Sequence, residues 1–317
     1  MLNQIKIAAV VVTYNRLELL IECIGALRSQ TRKLDEIIVV NNDSKDGTTQ
    51  WLDEQQDITK IHQENLGGAG GFHNGMKLAY EKGYDWIWLM DDDAEPFADS
   101  LAKLEASIDL TFSALCSIVV DKDGLMVKNH RGKINTKYIK IYTLLAPLAK
   151  INNENKVSDI ELATFVGILI NVNAIKKIGL PRADFFIHND DIEYCLRLLE
   201  FGKIKQITAS KIIHKSEGDS ELISINFLFK QIKRKPYHRY WVKYFTLRNF
   251  FIILLNYPEF KLSSYPSIFF TTIKEIIQII FFDDNKRNRI KILILALKDS
   301  LKNNLNRKPL EIKQFLN

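Results

Sequence analysis

Three apolar runs in the first hundred residues each end in a polar cluster, and this pattern constrains the fold more than any other feature. Residues 5–13 run into Thr13-Tyr14-Asn15-Arg16, residues 36–40 into Asn41-Asn42-Asp43-Ser44, and residues 86–90 into Asp91-Asp92-Asp93. Helical patterns separate them. Residues 18–29 put Leu19, Leu20, Cys23, Ile24 and Leu27 on one face, and a second helix is expected near 48–55. Residues 60–63 read as a short strand, and a Gly-rich turn then leads into a helix ending at about Lys82. Strand–helix alternation of this kind means βαβ units and a mostly parallel sheet. Ligands of such sheets sit at the carboxyl ends of the strands, which is where the polar clusters lie.

Composition narrows the class. With 46% hydrophobic and 26% charged residues, the 317-residue chain is neither disordered nor collagen-like. Three dispersed cysteines (Cys23, Cys116, Cys195) fit a reducing compartment and exclude a disulfide scaffold or a CxxC zinc site. The opening MLNQIKIAAVVV reads as a first strand rather than a signal peptide. No run approaches the roughly 18 apolar residues of a membrane span, so a cytoplasmic protein is expected. Charge is unevenly spread. From Lys203 onward there are 22 Lys+Arg against 9 Asp+Glu, a net +13, whereas residues 1–202 carry −7. A basic C-terminal third can face an anionic surface, such as an inner membrane leaflet or nucleic acid, or simply be solvated.

Beyond Ala114 the alternation loosens. Residues 162–171, 204–208 and 211–214 look like strands, and 191–201 like a helix with Gly202 beyond its end. From about Tyr237 the pattern is helical and aromatic. Its short apolar runs at 250–255, 276–282 and 290–297 read as amphipathic or buried helices.

Asp91-Asp92-Asp93 is the sharpest local signal. In extended chain Asp91 and Asp93 point the same way and Asp92 faces elsewhere. Two converging carboxylates repel unless a cation joins them, and hard oxygen ligands with room for phosphate suit Mn²⁺ or Mg²⁺. The competing reading is that residues 93–96 open a helix at Phe97. The glycine-rich Asn65–Phe72 segment matches neither G-x-G-x-x-G nor a P-loop, which disfavours dinucleotide oxidoreduction and P-loop hydrolysis. Asp190 and Asp191 open a helix, so they either cap it or offer a catalytic base. His214 ends a strand-like KIIH segment, a place from which it can complete a metal site.

Taken together, VVTYNR (11–16), NNDSKDGT (41–48), the DDD triplet and DDIEYCLR (190–197) resemble the family-2 glycosyltransferases of GT-A fold, in that family's order. NLGGAGGF (65–72), IIH (212–214) and YFTLRN (244–249) are similar to its galactofuranosyltransferase and rhamnosyltransferase branch. The resemblance covers roughly residues 5–250. It implies an α/β GT-A domain over 1–235 and a C-terminal helical, basic and aromatic region over 236–317. By the same resemblance, Thr13, Asn15 and Arg16 hold the donor nucleotide and Asp43 contacts its base or ribose. Asn65, with Gly67 in the same motif, lies beside the diphosphate. Asp91 and Asp93 bind a divalent metal joined by His214. Asp191 is the general base, with Asp190 as its neighbour and fallback.

The implied reaction is an inverting transfer from a UDP- or dTDP-linked sugar to a hydroxyl of a cell-surface glycan on a lipid-linked acceptor. Ala163-Thr164-Phe165 stands where branch relatives often carry tryptophans, and His188 and Asn189 precede the acids. Both departures leave the sugar open between galactofuranose and rhamnose. The basic, aromatic helices from about Lys230 onward are expected either to lie on an anionic membrane surface at the cytoplasmic face or to cover the sheet. Two other classes compete: a non-catalytic nucleotide-sugar or membrane-binding module, and a nucleotidyltransferase releasing pyrophosphate. A nucleic-acid partner is not expected, because the basic third carries no recognised module.

Overall fold

Central strands of a sheet covered on both faces are apolar at every position, and the first strand shows this directly. The computed structural model describes residues 5–134, 144–147, 157–215, 222–227 and 230–316; residues 1–4 of the opening segment lie outside these. All seven residues of β1 (Ile7–Thr13) are buried. There follow α1 (Leu17–Arg28), β2 (Glu36–Asn42), α2 (Thr48–Glu54), β3 (Ile58–Gln63), α3 (Gly67–Glu81) and β4 (Trp86–Asp91). Next come β5 (Ala94–Pro96), α4 (Ser100–Glu105), β6 (Phe112–Val120), β7 (Arg131–Ile134) and β8 (Leu145–Pro147). The series continues with β9 (Val157–Ile160), β10 (Leu162–Ala163), β11 (Ile168–Asn171), α5 (Val172–Ile178), α6 (Asp190–Phe201) and β12 (Lys203–His214).

Among the described residues nine strands form one sheet in the order β3-β2-β1-β4-β11-β6-β12-β5, with β9 paired to β12. The β3-β2-β1-β4 block is parallel and β11 runs antiparallel to both its neighbours. Ile7, Ala9 and Val11 pack with Leu20, Cys23, Ile24 and Leu27 of α1 in one apolar cluster, while α3 covers the alternate face. That helix lies close to the sheet: a Cβ on Gly75 would come within 2.3 Å of Val10 Cγ1.

Four local expectations are corrected. The glycine-rich segment is not a turn ahead of a helix but the first turns of α3 itself, because close packing on the sheet outweighs glycine's poor helix propensity. Residues 93–96 do not open a helix; Asp93 ends a turn and Ala94–Pro96 form β5, which pairs with the end of β12. The stretch 162–171 is two strands broken at Gly167, whose φ of +74° ends regular pairing. Conversely, 204–208 and 211–214 are one strand, β12, with a register shift between Ile207 and Lys211.

The chain divides into two compact units, one comprising 1–134, 145–186 and 190–216, the other 135–144, 187–189 and 217–317. The second holds β13 (Ile223–Phe227), β14 (Lys230–Arg234), α7 (Trp241–Asn256), α8 (Ser264–Phe282), α9 (Lys286–Leu301) and α10 (Pro309–Gln314). The helices therefore begin at Trp241, and Lys230 belongs to a strand. α7 is buried almost all round and is the core of this unit, packed by α8, α9 and α10. Near its C-terminal half, Asn249 Nδ2 donates to the carbonyls of Ile187 (3.1 Å) and His188 (2.8 Å), fixing two residues of which His188 is left-handed. The expectation that no segment is long enough to span a membrane fails for α8. This 19-residue helix is long and apolar enough by length and composition, since Pro266 falls in its first turn and does not break it.

Candidate active site

The edge of the sheet gathers the acids. β4 ends at Asp91, paired across to Val12 of β1. The antiparallel pairing of β5 with β12 sets His214 opposite Ala94, and the Lys215 amide donates to the Asp93 carbonyl at 3.0 Å. Ligand-type atoms of Asp91, Asp93 and His214 consequently lie within 4.8 Å of one another. His214 Nε2 is 3.1 Å from Asp93 Oδ1, and apart from this ion-pair contact the buried oxygen has no partner. Two carboxylates and an imidazole around an orphaned buried oxygen fit a divalent cation. Burial, then the charge of Asp93, pushes the Asp91 carboxyl up to about 7. Burial also acts upward on Asp93, but His214 and Arg16 outweigh it and hold that carboxyl below its usual range. His214 is raised, because its contact with Asp93 and the charge of Asp91 overcome the opposing effect of burial. A neighbouring imidazole, His130, packs edge-on against it with centroids 4.8 Å apart. Burial drives His130 down to about 3, so it stays neutral there.

Asp92 lies with Asp93 in the turn between β4 and β5, and its side chain binds residues of and just after β1. Thr13 Oγ1 donates to its Oδ2 at 2.8 Å, and Arg16 Nη1 reaches its Oδ1 at 3.3 Å and Asp93 Oδ2 at 2.9 Å. Burial raises Asp92 to about 6. Thr13, Arg16, Asp91 and Asp93 thus form one connected group. Asn15 and Asp43 belong to a separate local set: both are left-handed, Asn15 is bonded through Ser44 and Lys45, and Asp43 pairs with Lys45. Asn65 stands just ahead of α3, its Oδ1 accepting from the Gly67 amide at 2.9 Å.

Gly67 links α3 to the approach of α6. At φ +73° a Cβ there would sit 2.0 Å from the Phe186 carbonyl oxygen, which also accepts the Ala69 amide at 3.2 Å. Gly67→Ala is therefore expected to destabilise the protein by roughly 1–3 kcal/mol from the left-handed backbone alone, with the steric overlap adding to it. A thermal melt unchanged from that of the parent chain would contradict this.

Asp190 and Asp191 stand at the N-terminus of α6. Burial pushes Asp191 up to about 6, although its Oδ1 accepts the Ile192 amide at 2.7 Å. Asp190 is raised well above its ordinary value, by burial first and then by Asp191, and it also feels Asp91. The two acid groups are within electrostatic reach of each other. Sequence reasoning missed Arg131, which is buried on β7. It donates to the carbonyls of Ser117 (3.0 Å), His130 (2.8 Å) and Thr164 (3.3 Å), and to that of Val166, binding the 164–167 break. Burial lowers Arg131, and its charge bears on Asp191. A lone arginine in a weakly patterned stretch carries no sequence signal for this.

The architecture is the GT-A fold followed by C-terminal helices. Within it, the sequence model of glycosyl transferase family 2 matches residues 8–179, and the chain belongs to that family of glycosyltransferases. The galactofuranosyltransferase GlfT1 of Mycolicibacterium smegmatis is 31% identical over 208 residues, covering 62% of this chain and 66% of that protein's length. The dTDP-rhamnosyl transferase RfbF of Shigella flexneri is 26% identical over 306 residues, covering 94% and 96%. Among solved structures, GalNAc-T7 with UDP, GalNAc and Mn²⁺ aligns with a TM-score of 0.59 at 14% identity, over 95% of this chain and 57% of that one. S. aureus TarS 1–349 in complex with UDP aligns at 0.54 and 13% identity, over 98% and 90%.

Proposed function

We propose that the chain transfers a sugar, galactofuranose or rhamnose, from a UDP- or dTDP-linked donor to a hydroxyl of a glycan acceptor carried on lipid. The observation that carries this reading is the Asp91, Asp93 and His214 cluster around an orphaned oxygen, with a raised carboxyl pair in electrostatic reach. Relatives named for galactofuranosyl and rhamnosyl transfer, and structural neighbours solved with UDP, support the donor class. A divalent cation, Mn²⁺ or Mg²⁺, held by Asp91, Asp93 and His214 would neutralise the departing diphosphate.

This chain's own residues do the rest. Arg16 and Thr13 brace the acids through Asp92 and face the donor nucleotide; Asn15 and Asp43 receive its base and ribose; Asn65 and Gly67 border the diphosphate. Asp191, with Asp190 as fallback, takes the proton of the acceptor hydroxyl while that oxygen attacks the anomeric carbon in line, giving inversion. In this division of labour residues 1–235 carry out transfer, and the helices of 236–317 seat the enzyme peripherally at the cytoplasmic face of a membrane.

The test is a donor screen with Mn²⁺ or Mg²⁺ that follows UDP or dTDP release from UDP-galactofuranose, dTDP-rhamnose, UDP-galactose and UDP-glucose. Metal-dependent release from one donor supports the reading; pyrophosphate release, or no binding of any donor, overturns it. A base must be ionised to accept a proton, and Asp191 ionises near 6. The rate is therefore expected to be flat above that pH and to fall about tenfold per unit below it. A rate independent of pH down to the ordinary carboxylate range would remove Asp191 from the role.

A further inference from the structure

One face of α8 is apolar and open. Tyr265, Phe269, Ile273, Ile277 and Phe281 recur every four residues along it and are all exposed; Tyr265 and Phe281 expose 67% and 68% of their surface. Phe270 and Ile280 flank the stripe and are exposed as well. An apolar patch of this extent marks an interaction surface rather than ordinary solvent contact.

The exposed charges around it are mostly basic. The only charged residues of α8 are Lys274, which is exposed, and Glu275, which is turned inward. Glu275 is buried, with Lys243 Nζ 2.6 Å and Arg234 Nη2 3.6 Å away. On α9, which packs beside α8, Arg287, Lys291 and Lys298 are exposed in line with Ile294 and Leu301. The exposed acids of 257–302 are Glu259 and Asp284, and Asp284 is paired with Arg289.

We infer that the α8 face, with the cations of α9, docks on an anionic lipid bilayer and lies in its interface. An amphipathic helix with aromatic and aliphatic residues on one side and lysines along its flank has the chemistry of such a surface. Exposed lysines and arginines each add attraction to anionic headgroups. The same positive field disfavours a second copy of this chain, because a two-fold contact would set these cations against their own counterparts. Spanning is disfavoured by the inner face. Ser264, Ser267, Thr271 and the ion-paired Glu275 are buried against protein, and full immersion would move them into hydrocarbon.

The inference deepens the peripheral placement proposed above and rests on that part of the reading alone. Its test measures binding and not turnover, so the two fail separately. The full chain is floated with vesicles of phosphatidylcholine, with and without phosphatidylglycerol. Binding to the anionic vesicles that weakens as salt is raised is expected. Phe269→Ser with Phe281→Ser should lower the partition coefficient about tenfold or more, at an unchanged circular dichroism spectrum. Lys291→Glu with Lys298→Glu should weaken binding independently, which keeps the proposal testable if the first variant misfolds. Equal, salt-insensitive binding to neutral vesicles would overturn surface docking in favour of insertion. No vesicle binding would overturn it too, whether the chain is monomeric or forms a dimer that the phenylalanine variant dissolves.

Discussion

Asp191→Asn is expected to lower kcat by about 10²–10⁴-fold while leaving donor affinity nearly unchanged, because general base catalysis contributes an effect of that size. The substitution keeps the shape and the Oδ1 that accepts the Ile192 amide, so the start of α6 should stay intact. It removes the ability to take up a proton. It also removes the charge that, after burial, most raises Asp190, so Asp190 should ionise at lower pH in the variant. A residual rate that still falls with a pH limb, and that is lost when Asp190→Asn is added, would then report Asp190 acting as the fallback base. Full activity in Asp191→Asn, measured with saturating donor and acceptor, would assign the proton transfer elsewhere.

The second large effect concerns the cation. Asp93→Ala removes the orphaned oxygen, a partner of Arg16 and the contact of His214 in one step. Metal assistance supplies several kcal/mol, so activity should fall by about 10³-fold or more, and chelation of the parent enzyme should have the same effect. Manganese affinity, read by calorimetry or electron paramagnetic resonance without any substrate, should drop in parallel. The pH dependence of the stabilisation is a separate check. Asp91 ionises near 7 in the folded chain but near 3.9 when unfolded, so between those values the native state holds the extra proton. The metal-free protein therefore loses stability as pH rises through that window. A bound manganese would offset both the burial and the repulsion that raise Asp91, so the melting temperature it adds should be larger at pH 8 than at pH 5.5. A gain that is equal or smaller at pH 8 would mean that the cation does not sit on Asp91.

Much of the site is written locally in the chain. The run 86–90 and the acids after it are plain in the sequence and the two acids do converge, but through a turn at Asp92-Asp93 rather than through the alternation of an extended segment. The α1 and α6 helices carry their own periodicity. What was not legible depends on partners far away in sequence. The glycines of α3 look like a turn because glycine is a poor helix former, and only the close approach to Val10 explains why a helix forms there. Residues 94–96 read as a helix start because acids and proline favour one, whereas β12 recruits them as a strand. The apolar run of α8 is hidden by Lys274 and Glu275, which face opposite sides of the helix boundary between solvent and core. Arg131 and His130 have no neighbours in sequence that announce them. Asp191 could be named only through the resemblance, since by itself an acid at a helix start caps the helix.

The three-residue strand β5 has a consequence for how the protein is made. His214 comes beside Asp93 only once β12 has paired with β5, and β12 is in turn aligned by β6. A ribosome must therefore deliver most of the chain before the imidazole is in place, and contacts of such long sequence separation form slowly. During synthesis the two aspartates wait without their imidazole. Manganese uptake should accordingly be a late event in refolding, lagging behind the assembly of β1, β2 and β4, and it would serve as a clock for the closing of the sheet.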